Sequence, residues 1–427
     1  MASYAIIGFG CAGYHALTAI RDVDSQCRVD IYSEHKDAPY NPMLTTYYAS
    51  SRLRYEGMFP FGSLEDISLA CKANIFPGTR ITGLDPEARS ITLEDGTVRA
   101  YDGILLATGA RSFTPPVPNE CPEACISMRT LDDARDLKRR MEEGGIARGV
   151  VVGASMAGIK VVEVLHNNGI PTTLADMAPC IFPLAAYPTT AARIQKHLEG
   201  QGVTMKFGAG LKAIHKGTDT AALVECTDGT LLPADLVGLC IGTRANMDLA
   251  VQAGLATGRG ITVNTFMETS APGIYAAGDC CEGRNLQNGQ PQVIGLWANA
   301  AYQGYTAGAA MCGSTRSFNG NMLHNITHFF GMDFIGFGDN RVTGHTLTFE
   351  NRDKGLFIEA VRQEGRVVGI NILGSYRISG ILKNHILGII QNRHHPIPDL
   401  QRGVLKKEGL TEEFILELEG GEESHGN

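Results

Sequence analysis

Residues 4–7 form a short apolar run, and three glycines follow at once, Gly8, Gly10 and Gly13. A helix-like stretch then runs through Ile20, and a second strand-like segment, CRVDIYSE, ends in Glu34. Few local patterns leave a chain less freedom. Gly8 permits a tight turn, Gly10 lets the backbone come close to a bound group, and Gly13 lets helix and strand pack closely. The start of the helix leaves unpaired N–H groups above the loop, a favourable place for a phosphate. Glu34, 21 residues beyond Gly13, stands where an acid accepts from a ribose hydroxyl. Strand, turn, helix, strand and acid in this order predict a dinucleotide-binding βαβ unit.

The phrase returns. GVVVGASMAGIKVVEVL at residues 149–165 repeats the layout with Gly153, Ser155 and Gly158, and the strand PTTLAD ends in Asp176, 18 residues past Gly158. Ser155 replaces the middle glycine. It is small enough for a phosphate to come near, and its hydroxyl is a donor toward one. Asp176, followed by Met177 rather than Arg, favours a free ribose 2′-OH and hence NAD over NADP. Two such sites in one chain point to two molecules, a flavin held permanently and a nicotinamide that comes and goes.

Composition sets the outer limits. At ~150 residues per domain, 427 residues make two to three domains, and 51 glycines placed at turns and strand ends suit a loop-rich α/β protein. A formal charge of −8 without a basic stripe argues against a nucleic-acid partner. Eleven scattered cysteines, an odd number, read as reduced intracellular thiols. The N-terminus MASYAIIG lacks the cationic segment of a secretory signal. The longest apolar candidate, ISGILKNHILGII, is interrupted by Lys383, Asn384 and His385, so no membrane span is expected. The expectation is a soluble, cytoplasmic protein.

With both loops in place, the chain resembles the FAD- and NAD(P)-dependent pyridine nucleotide–disulfide oxidoreductase family over nearly its whole length. LLATGA at 105–110 resembles the strand that ends beside the flavin, which places Ala107, Thr108 and Gly109 there. IGTRAN at 241–246 resembles the return to the FAD domain and puts Gly242 on the nicotinamide side. GIYAAGDC at 273–280 resembles the segment whose Gly278 and Asp279 sit at the pyrophosphate and ribitol. WANAAYQGYTAGAAMCG at 297–313 resembles the helix that points at the flavin ring, with Trp297 and Ala298 at the pyrimidine side; its dipole favours an anionic reduced flavin. Ile81 matches a position whose backbone touches the adenine. The resemblance implies two doubly wound, Rossmann-like nucleotide-binding α/β domains and a C-terminal α/β interface domain. The boundaries it suggests are 1–119 with 244–320 for FAD, 120–243 for NAD and 321–427 for the interface domain. The final stretch EEFILELEGGEESHGN is acidic and rich in small residues, and is expected to fray.

What is missing selects a branch. Members that reduce disulfides carry cysteine just after the second strand, and APYNPMLTTYYAS at 38–50 contains none. YNPML resembles instead the rubredoxin reductases and the flavin modules of NADH-dependent nitrite reductases, in which Asn41 and Pro42 would lie over the flavin. Two positions depart from that branch. Thr46 stands where it usually has Lys, and Lys160 where it usually has Glu. Two readings of Lys160 stand side by side: a cation that favours hydride arrival at the flavin, or a side chain snorkelling to solvent. Met156 occupies the position of a gate over the flavin, or simply packs.

Other candidates carry blander readings. Cys121 and Cys125 fall in a linker without a matching second pair. Cys280 and Cys281 follow the Gly-Asp motif, where a Cys is common without redox duty. HHP at 394–396 resembles the His-Pro of disulfide reductases and reads here as a surface loop. The expected activity is FAD-dependent exchange of a hydride with NAD(H), with electrons passed to an iron–sulfur partner. No cysteine cluster in the chain suits an iron–sulfur centre, so any cluster belongs to another chain in a hetero-oligomeric complex, or the protein is a homodimer. GASMAGIKVVEVL with TLADMAPCIFPLAA is similar to the flavin subunit of phenylglyoxylate dehydrogenase-type 2-oxoacid oxidoreductases. The alternatives are a stand-alone, peroxide-forming NADH oxidase and a non-enzymatic flavoprotein.

Overall fold

The computed structural model describes residues 1–393 and 395–420. The chain divides into two compact units. The first comprises Met1–Phe113, Arg129–Arg135 and Thr243–Asn321; the second comprises Thr114–Met128, Asp136–Gly242 and Met322–Asn427.

The first unit is built on a five-stranded sheet in the order Ile274–Ala276, Gly103–Leu106, Ser3–Ile7, Arg28–Ser33 and Asn74–Pro77. Every pairing in it is parallel. Both faces are covered, so its strands are apolar on both sides. Ile6, Ile31 and Leu105 pack under the helices, and Ala5, Ile7, Tyr32, Ile104 and Leu106 pack on the opposite side with Ile91 and Leu93. Those last two come from an antiparallel meander, Ile81–Asp85, Ser90–Leu93 and Val98–Ala100. The helices Cys11–Val23 and Trp297–Met311 touch backbone to backbone. A Cβ on Gly304 or Gly308 would lie 2.2 Å from the carbonyl oxygen of Ala12 or Ala16.

The second unit repeats this plan. Its parallel sheet runs Thr204–Phe207, Thr172–Asp176, Gly149–Val152, Leu236–Leu239 and Cys125–Ile126. A meander of Leu211–Lys216, Ala222–Cys226 and Leu231–Ala234 covers one face. Cys125 is thus a strand residue at the sheet edge and not part of a linker.

The second unit also contains a five-stranded antiparallel sheet formed by His324–Phe329, Met332–Phe337, Arg366–Leu373, Leu356–Gln363 and His345–Asn351. Its core is shared with the helices Ser379–Ile390, Asp399–Lys407 and Glu412–Glu419. Buried polar groups fasten this sheet to the nucleotide half. Glu359 accepts from Thr190 N and Oγ1, both at 2.7 Å, and Asn371 accepts from Tyr187 N at 2.6 Å.

The frayed tail expected from composition is corrected as far as Glu419. Thr411 caps the last helix by accepting from Phe414 N, and Phe414, Ile415 and Leu418 are buried. Apolar spacing on one helical face outweighs the acidic composition. Residues 421–427 lie outside the described residues. Among the described residues no helix is long and apolar enough to cross a membrane.

Candidate functional site

In the first loop each glycine has a separate physical reason. Gly8 has φ +99°, and a Cβ there would stand 2.2 Å from Ala107 O. A Cβ on Gly13 would meet Gly8 O at 2.4 Å. At Gly10 a Cβ would meet no heavy atom within 4 Å, so the loop is open toward that side. Gly10 is also the N-cap of helix Cys11–Val23 and has no side chain to satisfy the first N–H groups. These groups and the helix dipole suit a diphosphate. Strand Arg28–Ser33 stops one residue short of Glu34, which is exposed just beyond its end.

Several further sequence candidates belong to the same unit. Thr108 Oγ1 donates to Asn246 O at 2.7 Å, and Asn246 Nδ2 returns a bond to Thr108 O at 2.8 Å. Asn246 N bonds Gly109 O at 2.9 Å, so a residue from the returning segment braces the turn after Ala107. Gly278, at φ +84°, lies close to Ala12, and its N–H donates to Gln303 at 2.9 Å. Asp279 is bonded by Arg129 at 2.6 Å. Neither Arg129 nor Gln303 was singled out from sequence; a cation spaced far along the chain carries no local signal. Helix Trp297–Met311 begins with no side-chain cap from Leu296, so its first N–H groups are also open. Its close contact with Cys11–Val23, at Gly304 and Gly308, lays two uncapped helices side by side.

Asn41 caps the short turn Pro42–Leu44 by accepting from Met43 N at 3.0 Å. Thr46, in the place of the expected Lys, is buried. Ile81 is buried at the start of its strand. The open loop, the uncapped helix starts and the exposed acid fit a dinucleotide in this unit.

The second loop copies the first. Gly153 has φ +110°, and a Cβ there would lie 2.3 Å from Cys240 O; one on Gly158 would lie 1.9 Å from Gly153 O. Ser155 differs from the expectation. Its hydroxyl donates to Cys240 O at 2.9 Å and accepts from Gly158 N at 3.2 Å. The proton expected for a phosphate goes to Cys240 O, while the oxygen caps helix Met156–Asn167, because the N-cap position aims a serine oxygen at the Gly158 N–H. Asp176 accepts from Ala154 N at 2.6 Å and Ala178 N at 2.8 Å. It fixes the loop it was expected to complement, and Met177 beside it is 77% exposed. Gly242 has φ +107° and open space around it. Met156 is the half-buried first residue of the helix.

Lys160 neither snorkels nor stands alone as a cation. It is 8% exposed. Its ammonium is paired with Glu163 and donates to His328 O at 2.8 Å. Glu163 in turn accepts from Phe330 N at 3.0 Å. The helix therefore turns Lys160 inward against the antiparallel sheet.

All eleven cysteines are free thiols. Cys280 and Cys281 are fully buried and donate to backbone carbonyls. Cys125 donates to Cys121 O at 3.5 Å, with no bond between the sulfurs. Among the described residues no group of His, Cys, Asp or Glu is placed to hold a metal ion. His394 lies outside the described residues, and His395 and Pro396 are exposed.

Comparison with known proteins agrees with this geometry. A family model described as pyridine nucleotide-disulphide oxidoreductase matches residues 2–304. A protein named NADH oxidase from Methanocaldococcus jannaschii is 27% identical over 395 residues, covering 88% of each chain. The NADH-dependent phenylglyoxylate dehydrogenase subunit epsilon of Aromatoleum evansii is 27% identical over 389 residues, 90% of this chain and 91% of its own. The water-forming NADH oxidase of Lactobacillus brevis, solved with NADH, superposes with a TM-score of 0.85 over 96% of this chain and 99% of its own. At 19% identity that likeness is one of fold.

Proposed function

The chain belongs to the pyridine nucleotide-disulphide oxidoreductase family, and from that premise we propose that it exchanges electrons between NAD(H) and an iron–sulfur partner by way of FAD. Membership makes it an FAD-dependent NAD(H) oxidoreductase; the acceptor is our reading. The observation that carries it is the segment after the second strand, where Asn41, Pro42, Thr45 and Thr46 stand and no cysteine occurs between residues 38 and 50. Without a thiol there, electrons leave by another route than dithiol exchange. In this reading the iron–sulfur centre belongs to a partner chain, which fits cysteines that are scattered along this one. The name of the Aromatoleum relative, a dehydrogenase subunit, supports a place in a 2-oxoacid oxidoreductase complex.

Bound FAD supplies the conversion between two-electron hydride chemistry and one-electron transfer. The protein supplies the rest. In this reading Gly8, Gly10, Gly13, Glu34, Gly278 and Asp279 hold FAD, and the loop Gly153–Gly158 with Asp176 holds NAD(H). The uncapped starts of Cys11–Val23 and Trp297–Met311 favour negative charge. Eleven free thiols support a reducing, cytoplasmic setting.

A second reading, a stand-alone NADH oxidase, is favoured by the name of the Methanocaldococcus relative. An anaerobic NADH titration that counts electrons tests the first reading. Uptake of two electrons per chain with full bleaching of the flavin, followed by rapid reoxidation by an iron–sulfur protein and slow reoxidation by oxygen, is the expected result. Uptake of four electrons would mean that a thiol pair takes part. Fast oxygen consumption would favour the oxidase.

A further inference from the structure

Trp297 is the only tryptophan of the chain and the first residue of helix Trp297–Met311. Its ring lies 5.8 Å from that of Phe61, with planes 11° apart. Phe61 lies 3.8 Å from Tyr14, with planes 9° apart. His15 stands edge-on to both, at 5.5 and 5.6 Å. Tyr14 comes from helix Cys11–Val23, and Phe61 comes from the segment ahead of helix Leu64–Cys71.

A separation of 3.8 Å with nearly parallel planes approaches a face-to-face sandwich. Aromatic quadrupoles disfavour that arrangement relative to offset or edge-on pairs. The surrounding elements, and not ring attraction alone, therefore hold the three rings in register. The main chain of Trp297 is held as well, since Cys11 Sγ donates to Trp297 O at 3.3 Å. Burial, with Asp279 nearby, pushes the Cys11 thiol up to about 12, so this donor keeps its proton. Ring and backbone at the uncapped start of the helix are both tied to the first glycine loop. All three rings remain half-buried, so the stack is a wall with one side open.

We propose that Phe61 and Tyr14 are positioning residues for FAD, which lock the Trp297 indole as a fixed wall at the open start of its helix. The inference rests on the FAD reading above and is independent of the acceptor. It predicts that the ring most distant from Trp297 still matters, through Phe61.

The single tryptophan makes this measurable without turnover. The full chain is stripped of flavin, and FAD is added back while tryptophan emission is followed. Rebinding should quench most of the emission. Phe61→Leu should weaken FAD binding about tenfold, lessen the quenching and shift the flavin midpoint potential, and Phe61→Tyr should restore all three. Tyr14→Leu should act in the same direction with a smaller effect, and it serves in place of Phe61→Leu if circular dichroism shows that variant misfolded. Emission indifferent to FAD, or a folded Phe61→Leu or Tyr14→Leu protein with the parent's affinity and quenching, would overturn the proposal. A parent protein purified without flavin, and unable to take it up, would overturn the functional reading itself.

Discussion

Removing one member of the Lys160–Glu163 pair should cost more than removing both. The two residues are 8% and 4% exposed. Lys160→Met strips Glu163 of its ammonium partner. Glu163→Leu strips Lys160 of its carboxylate and Phe330 N of the acceptor at 3.0 Å. One-sided removal of a buried pair costs about 3–5 kcal/mol, whereas replacing both members by apolar groups is often neutral or better. The double variant Lys160→Met/Glu163→Leu still leaves Phe330 N without that acceptor, a loss of about 1–3 kcal/mol. The Phe330 term enters Glu163→Leu and the double alike, so the singles sum to roughly 7–13 kcal/mol and the double to roughly 1–3 kcal/mol, and the coupling is at least ~4 kcal/mol. Urea denaturation of the FAD-loaded parent and three variants, followed by circular dichroism, measures it. Simple addition of the two single losses would refute the idea that the groups act as one buried unit. Anaerobic stopped-flow reduction by NADH then asks what the unit does. If it is only a clamp on the strand His324–Phe329, the double variant regains nearly the parent rate. If the Lys160 charge itself favours hydride arrival, the double variant stays stable and slow.

Gly10→Val should keep the unfolding free energy of the flavin-free protein within about 1 kcal/mol of the parent while FAD content falls about tenfold, measured by flavin absorbance per chain. Gly13→Val should instead prevent soluble expression, because its side chain meets Gly8 O at 2.4 Å; equal solubility of the two would contradict these roles. Asp176→Ala with Met177→Arg should move preference from NADH toward NADPH by about tenfold or more in kcat/KM, and an unchanged ratio would remove Asp176 from ribose recognition. His324 is held down from 6.5 to about 4 by burial and by Lys383. A folded value below the unfolded one means that protonation is resisted in the native state, so stability is full above 6.5 and falls as pH drops from 6.5 toward 4. His324→Gln should flatten that acid limb in a thermal-unfolding series.

Both glycine loops were legible because Gly13 and Gly158 face a carbonyl five residues back, and because the turn itself needs positive φ at Gly8 and Gly153 whatever strand lies opposite. HTLTFE alternates apolar and polar residues and LFIEAV is a nearly continuous apolar run, and they occur as the strands His345–Asn351 and Leu356–Gln363. What stayed hidden depended on distant partners. The Ser155 hydroxyl is claimed by a carbonyl 85 residues away. Lys160 is turned inward by one 168 residues away, and Arg129 meets Asp279 across 150 residues. The helix Glu412–Glu419 is a different case. Its cap Thr411 and its apolar stripe Phe414, Ile415 and Leu418 are local signals, and they outweigh the acidic composition. The contact of Gly304 and Gly308 with the helix Cys11–Val23 also joins segments far apart in the chain.

The two parallel sheets differ in where their last strand comes from. In the second it is Cys125–Ile126, ahead of the others in the chain; in the first it is Ile274–Ala276, behind the whole intervening segment. During synthesis the second sheet has all its strands once Leu239 has emerged, while the first, though begun at Ser3, waits for Ala276. Of the two parallel sheets, the one started first is therefore finished last. A nascent chain paused between those two points carries a complete second sheet and a first one whose strand Gly103–Leu106 presents an unpaired edge.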